Sequence, residues 1–97
     1  MPVVLNVRRL PGSVFPPGAV YIGRFNRKYG LAASVWANPF KVGLDGSRGD
    51  VIVQYRRWLC DQPDLMARLP ELRGHDLVCW CAPHPCHGDV LLELANA

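Results

Sequence analysis

Between Cys79 and Asp89 the chain reads CWCAPHPCHGD, and these eleven positions hold three of its four cysteines and two of its three histidines. Cys79 and Cys81 are two residues apart, so on a strand both thiols leave the same face. Pro83 and Pro85 forbid the strand from continuing. Cys86-His87-Gly88-Asp89 then opens a helix whose apolar positions are Val90, Leu91, Leu94 and Ala95. Thiols, an imidazole, a carboxylate and free amide N–H groups thus converge where a strand hands over to a helix. In α/β proteins that edge is where ligands bind.

Three chemistries compete for this cluster. In the first, Cys86 sits at a helix N-terminus, where unsatisfied N–H groups and the dipole stabilise a thiolate or a bound anion. His87 adjoins it as a candidate base, and Asp89 either orients an imidazole or compensates the dipole. Cys81 completes the candidate catalytic set, and Cys86 is expected to be the thiol that reacts first. The second chemistry is zinc, with Cys79, Cys81, Cys86 and either His84 or His87 as ligands. Against it, Cys-x-Cys followed by Cys-His is not the usual C-x₂-C spacing, no second knuckle is present, and Cys79 could be buried away from the others. In the third, Cys79 and Trp80 fill the core, the prolines stiffen a corner and the histidines are solvated. That accounts for each residue singly, but less well for so many reactive types so close together.

The remaining elements must position the cluster. Pro2 to Leu10 reads as a first strand built on Val3, Val4, Leu5 and Val7. Asn6, Arg8 and Arg9 break its apolar character, as a solvated edge or as groups facing a ligand. A second strand spans Ala19 to Arg24, with Tyr21 and Arg24 near its end. Gly23 there either makes a tight turn or lets the backbone approach a ligand closely. Residues 25 to 46 form a long irregular loop, and long ordered loops tend to be functional. In it Phe40 is expected to plug into the core, and Asn38 to cap a turn or offer its amide to a substrate. Ser47 caps a helix running to Cys60, with Asp50 completing the acidic side of the cap. Val51, Ile52, Tyr55, Trp58 and Leu59 form its core stripe, and Cys60 reads as a small buried hydrophobe. Arg48 sits in the first turn, where a cation opposes the dipole unless an anion lies nearby. A shorter helix starts at Pro63, is interrupted by Pro70 and stops at Gly74.

Ninety-seven residues with 49% hydrophobic and 20% charged positions make one globular domain, 1–97. No apolar run approaches the ~20 residues that span a bilayer, and the N-terminus lacks a signal-peptide h-region. The expectation is a cytoplasmic protein with no membrane contact, whose reduced thiols serve reactivity or metal rather than disulfides. Nine of eleven basic residues are arginine, the side chain that grips phosphates and carboxylates bidentately, although a GC-rich genome would produce the same bias. A formal charge of +3 is too mild to argue for nucleic acid by itself. Trp58 and Trp80 belong to core-like elements, which leaves Tyr21, Phe25, Tyr29 and Trp36 as possible stacking residues. Nucleic acid is therefore possible but not favoured.

The combination Cys79-Trp80-Cys81-Ala82-Pro83 and Cys86-His87-Gly88-Asp89 resembles DUF4326, a family of uncharacterised small proteins from bacteria and phages. The resemblance covers nearly the whole chain. Its other elements are Val4, Asn6 and Arg8, then Tyr21-Ile22-Gly23-Arg24, Asn38-Pro39-Phe40, Arg48 with Tyr55, and Leu72-Arg73-Gly74. Ala37 stands where the family is expected to carry glycine. The terminal strand–Cys-His–helix unit is also similar to the end of DUF488, an analogy that implies a Rossmann-like half-sheet.

The expected fold is therefore a small single-domain α/β structure, Rossmann-like, with a largely parallel sheet, the last strand central and helices against it. Cys81, Cys86, His87 and Asp89 form the site at the carboxyl end of that strand. Asn6, Arg8, Tyr21, Gly23, Arg24, Asn38 and Arg48 are the residues expected to bind ligand. The function they imply is binding a phosphorylated small molecule or nucleotide, or acting on it as a thiol-dependent enzyme, with no cofactor. The alternative is a zinc-stabilised interaction or nucleic-acid-binding module.

Overall fold

Leu77, Val78 and Cys79 carry no polar alternation, and all three are buried. This is the signature of a strand covered on both faces, and they form the central strand of a three-stranded sheet. In the computed structural model, which describes residues 2–97 apart from the Ser13 side chain, the strands are β1 (Val4–Asn6), β2 (Val20–Tyr21) and β3 (Leu77–Cys79). Their order is β1-β3-β2, and both outer strands run parallel to β3. Val4 and Val20 lie opposite Leu77, and Asn6 lies opposite Cys79. The fold is thus α/β with the last strand central, as expected.

Both outer strands are shorter than the sequence implies. Asn6 ends β1: its Oδ1 accepts a hydrogen bond from Arg8 N at 2.9 Å, which caps a 3₁₀ turn at Val7–Arg9. After Tyr21, Ile22 N still donates to Val78 O at 2.9 Å. Gly23 O instead accepts from Ser34 N, so the chain leaves the sheet for the loop.

Three helices accompany the sheet: α1 (Arg48–Cys60), α2 (Pro63–Arg68) and α3 (His87–Ala95), with α3 packed on β3 and α1, and α2 on α1. α1 opens with a full capping box, in which Ser47 Oγ accepts from Asp50 N and Asp50 accepts from Ser47 N. Those Ser47 bonds hold the Asp50 carboxyl below its ordinary range. Val51, Tyr55 and Leu59, four residues apart, bury one face of α1. Cys60, by contrast, is exposed. It is the next residue round from Leu59, and the helix turns it out to solvent, so the expectation of a buried Cys60 is corrected. α2 starts at Pro63 as expected, a tight turn follows at Leu69–Leu72, and Gly74 stops the segment with φ 78°.

The long loop is tied down from several sides. Trp36, not Phe40, is its core anchor: it is buried, and its carbonyl accepts the Tyr55 hydroxyl proton at 2.8 Å. Phe40 is only half-buried. Burial keeps the Tyr55 phenol protonated well above its ordinary pKa. Tyr55 is fully buried and also meets the His87 ring edge-on, with centroids 4.9 Å apart. One side chain therefore joins α1 to the loop and to the start of α3. Replacing Tyr55→Phe leaves the Trp36 carbonyl without its donor, a loss of about 1–3 kcal/mol. Urea unfolding should show a lower midpoint with an unchanged slope. A midpoint equal to that of the parent protein would mean that this bond does not hold the loop.

Candidate functional site

Parallel pairing brings the carboxyl ends of all three strands to one edge, and α3 begins there. A cleft of about 370 Å³ opens at that edge. Cys79, Trp80 and Cys81 form its floor, Cys86 and His87 come from the start of α3, and Arg48, Val51 and Ile52 come from α1. Arg8 enters from beyond β1, Gly23 and Arg24 from beyond β2, and Asn38, Phe40 and Val42 from the long loop.

The thiols are the densest feature. Cys79 Sγ lies 3.2 Å from Cys86 Sγ, and the sulfurs of Cys79, Cys81 and Cys86 all lie within 4.8 Å of one another. Such a group could hold a metal ion. Cys79 and Cys81 meet because they are two apart on one strand face. Cys86 joins them as the N-cap of α3, its sulfur accepting from Gly88 N at 3.3 Å. Cys79 Sγ accepts from Cys81 N at 3.5 Å. Cys79 therefore belongs to the cluster and is not buried apart from it. Within the trio, hydrogen bonds from Cys79 and Cys86, together with Arg48, pull the Cys81 thiol well below its ordinary pKa. The Cys81 contact pushes Cys79 up, and the contacts with Cys79 and Cys81 push Cys86 up. Cys81 is half-buried, whereas Cys86 and Cys79 are 4% and 2% exposed. Cys86 does occupy the helix terminus, as expected, but the thiol offered to the cleft is Cys81.

His87 and Asp89 do not form a relay with Cys86. His87 is buried, and its Nε2 sits 2.8 Å from Ile22 O. A carbonyl only accepts, so Nε2 carries the proton and the ring is a brace between α3 and the sheet edge. Burial lowers its pKa, against the opposing effect of the Ile22 bond, and keeps it neutral. Asp89 is the acidic half of the cap: its Oδ2 accepts from Cys86 N at 3.0 Å. Neither histidine is in the thiol cluster: no ring nitrogen of His84 or His87 lies with the three sulfurs. A fourth zinc ligand from this chain is thus not supplied by either.

The residues expected to bind ligand divide in two. Asn6, Tyr21 and Asn38 are spent on the fold. Asn6 Nδ2 donates to Trp80 O and Ala82 O at 3.0 and 2.9 Å, fastening β1 to the chain after β3. The Tyr21 hydroxyl accepts from Trp80 Nε1 at 2.8 Å and donates to Arg24 O at 2.6 Å. Asn38 lines the cleft, but its Oδ1 accepts from Phe40 N at 2.9 Å to make the turn. Gly23 also lines the cleft, and it is glycine because a Cβ would collide with the Tyr21 ring and hydroxyl. Gly88 has a similar reason: a Cβ would stand 2.9 Å from Val4 Cγ2 and 3.0 Å from Ile22 Cδ1. The three arginines converge on the cleft. Arg24 is partly committed, donating to Asn38 O at 2.7 Å and Phe40 O at 2.8 Å. Arg8 lies over the Trp80 ring, 5.5 Å from its centroid, and Arg48 makes one long contact to Pro85 O at 3.4 Å.

Sequence reasoning missed Phe25, Asn26, Phe40, Val42, Trp80 and Pro85 as cleft residues. The CWC spacing could have flagged Trp80, since it lies between two site cysteines. Nothing in the loop sequence marks Val42. Trp36 is corrected as a stacking candidate, being 3% exposed. Tyr29 packs edge-on against Trp80 at 5.0 Å.

The exposure of the thiols sets their order of modification. In metal-free native protein, an alkylating reagent should label Cys60 and Cys81, and should reach Cys79 and Cys86 only after unfolding. Peptide mass spectrometry reads the order, and early labelling of Cys86 would contradict its burial.

Comparison with known proteins agrees with the motif. The model of "Domain of unknown function (DUF4326)" matches residues 5–97. Uncharacterized protein R718 of Acanthamoeba polyphaga mimivirus is 31% identical over 103 residues, spanning 96% of this chain and 78% of its own length. An uncharacterized 12.4 kDa protein in the nrdA-td intergenic region of Enterobacteria phage T4 is 50% identical over 30 residues, covering 31% of this chain and 28% of its own. No solved structure matches significantly. With the family model spanning all but the first four residues, the chain belongs to the DUF4326 family.

Proposed function

We propose that the cleft binds, or acts on, a small phosphorylated molecule of nucleotide-like kind. One observation carries the reading: Arg8, Arg24 and Arg48, from three separate parts of the chain, line a single cleft beside the N-terminus of α3. Guanidinium forks and helix N-terminal amides are the groups that recognise phosphate. Trp80, Phe25 and Phe40 line the same cleft and supply apolar faces for a base or sugar. Cys81 is the thiol such a ligand would meet, and the residue to which any covalent step would fall. Among the described residues no helix is long and apolar enough to cross a membrane.

The surface favours a compact ligand over a nucleic-acid strand. Strand binding relies on a run of exposed aromatics along a basic groove. Here Trp36 is in the core, Tyr29 is packed on Trp80, and Phe25 remains, 67% exposed at the mouth of the cleft.

Thermal unfolding with AMP, ribose 5-phosphate and inorganic phosphate tests the reading. A ligand present at 100 times its Kd adds about 2.7 kcal/mol, which for a domain this size raises Tm by about 10 °C or more. Arg48→Gln should cut that gain by at least half without lowering the Tm of the free protein. Fluorescence anisotropy with a labelled single-stranded oligonucleotide at physiological salt should show little binding. No stabilisation by any of the three phosphates, with submicromolar oligonucleotide affinity, would replace the pocket reading with the nucleic-acid one.

A further inference from the structure

The geometry points to a metal site at the floor of the cleft, in which Cys79, Cys81 and Cys86 bind one thiophilic divalent ion such as zinc and leave its fourth position open to the cleft. Zinc–sulfur bonds of about 2.3 Å at tetrahedral angles place sulfurs about 3.8 Å apart. One pair of sulfurs here is 3.2 Å apart and all three lie within 4.8 Å of one another, close to that spacing. Small side-chain rotations suffice to close them on an ion.

The surroundings are those of bound thiolates. Two of the three sulfurs already accept backbone N–H bonds, from Cys81 N and Gly88 N. Such outer contacts orient metal ligands and spread their charge. Three thiolates and a divalent cation carry a net single negative charge. The amides at the start of α3 and the Arg48 guanidinium, which faces Cys81, stand where they compensate it. On binding, the thiol protons leave to solvent and three sulfur–metal bonds form, with no change of oxidation state.

A structural zinc needs four protein ligands, and this cluster has three. No ring nitrogen of His87 or His84 lies with the three sulfurs. The three-ligand arrangement with a free position is that of zinc sites which take water or substrate. Cys81 and Cys86 line the same cleft as the three arginines, so the open position faces the phosphate-binding groups. That an anionic ligand fills it rests on the proposed reading of the cleft; metal binding by the thiols does not.

Elemental analysis of protein purified without chelator should give one equivalent of zinc. The metal-free protein should take up one cobalt(II) ion, with sulfur-to-cobalt charge-transfer absorption and the intense visible bands of a tetrahedral site. Cys81→Ser, a half-exposed position, should remove that signal while far-ultraviolet circular dichroism stays native. Cys60→Ser should leave it intact. Failure of the parent protein to bind zinc or cobalt, or full binding by a folded Cys81→Ser variant, would overturn the metal site. Adding AMP to the cobalt form then tests the open position. A shift of the visible bands supports an anion at the metal. Unchanged bands, with AMP still raising the Tm, would overturn the open position and leave the anion pocket standing. A bound metal with no stabilisation by any phosphate would sink the pocket reading and leave the metal site.

Discussion

Hydrogen bonding of β1 and β2 to β3 in the same direction is the constraint on which everything else depends. β3 has only three residues, and each outer strand contributes two or three more. Because all run the same way, the residues that follow them (Arg8 after β1, Gly23 and Arg24 after β2, Cys81 after β3) emerge at one edge. An antiparallel β1 or β2 would send its arginine to the opposite end of the sheet. The start of α3 is brought to this edge by the short turn from Cys81 to Cys86, and α1 lies across it with Arg48 in its first turn.

So small a sheet needs bracing, and the polar side chains nearest the edge supply it. Asn6 fastens the end of β1 to the chain beyond β3. Tyr21 fastens β2 to Trp80, His87 fastens α3 to Ile22, and Asp89 fastens the first turn of α3 to Cys86. Each is a hydrogen bond between elements far apart in sequence or at a helix end, where an unmet polar group would be costly. These four residues have the types from which active sites are built. In this fold each of them has a polar atom taken by a backbone or side-chain partner.

That division explains what could be read from the sequence and what could not. The central, apolar β3, the helix opening at Cys86, the capped α1 and the Pro63 start of α2 all follow from local patterns of apolar spacing, capping and proline. The corner as the site follows from the same patterns. What sequence cannot show is which polar groups have already found a partner across the fold, because Asn6 to Trp80 or His87 to Ile22 spans more than sixty residues. The same limit left open whether Cys79 joins the cluster, since its meeting with Cys86 depends on how tightly the prolyl turn folds back. Strand lengths failed for a local reason: the Asx contact of Asn6 with Arg8 N competes with the ladder and ends β1 three residues in.

Once the braces are set aside, the groups left facing the cleft are few and mutually consistent. Arg8 and Arg48 hold only weak or stacking contacts, and Cys81 is the one thiol of its trio that is not buried. From sequence, zinc and anion binding stand as rivals, since a metal was counted with four ligands and a structural role. The geometry groups three sulfurs in the cleft that the arginines also line, so the two readings no longer exclude each other. A soft cation at the floor and guanidinium groups on the walls would both attract a single anionic ligand. Crowding three thiols there without either partner leaves buried Cys79 and Cys86 sharing hydrogen bonds in a cramped corner. The proposed metal accounts for that crowding, and the arginines that line the same cleft are the reason for proposing an anionic ligand beside it.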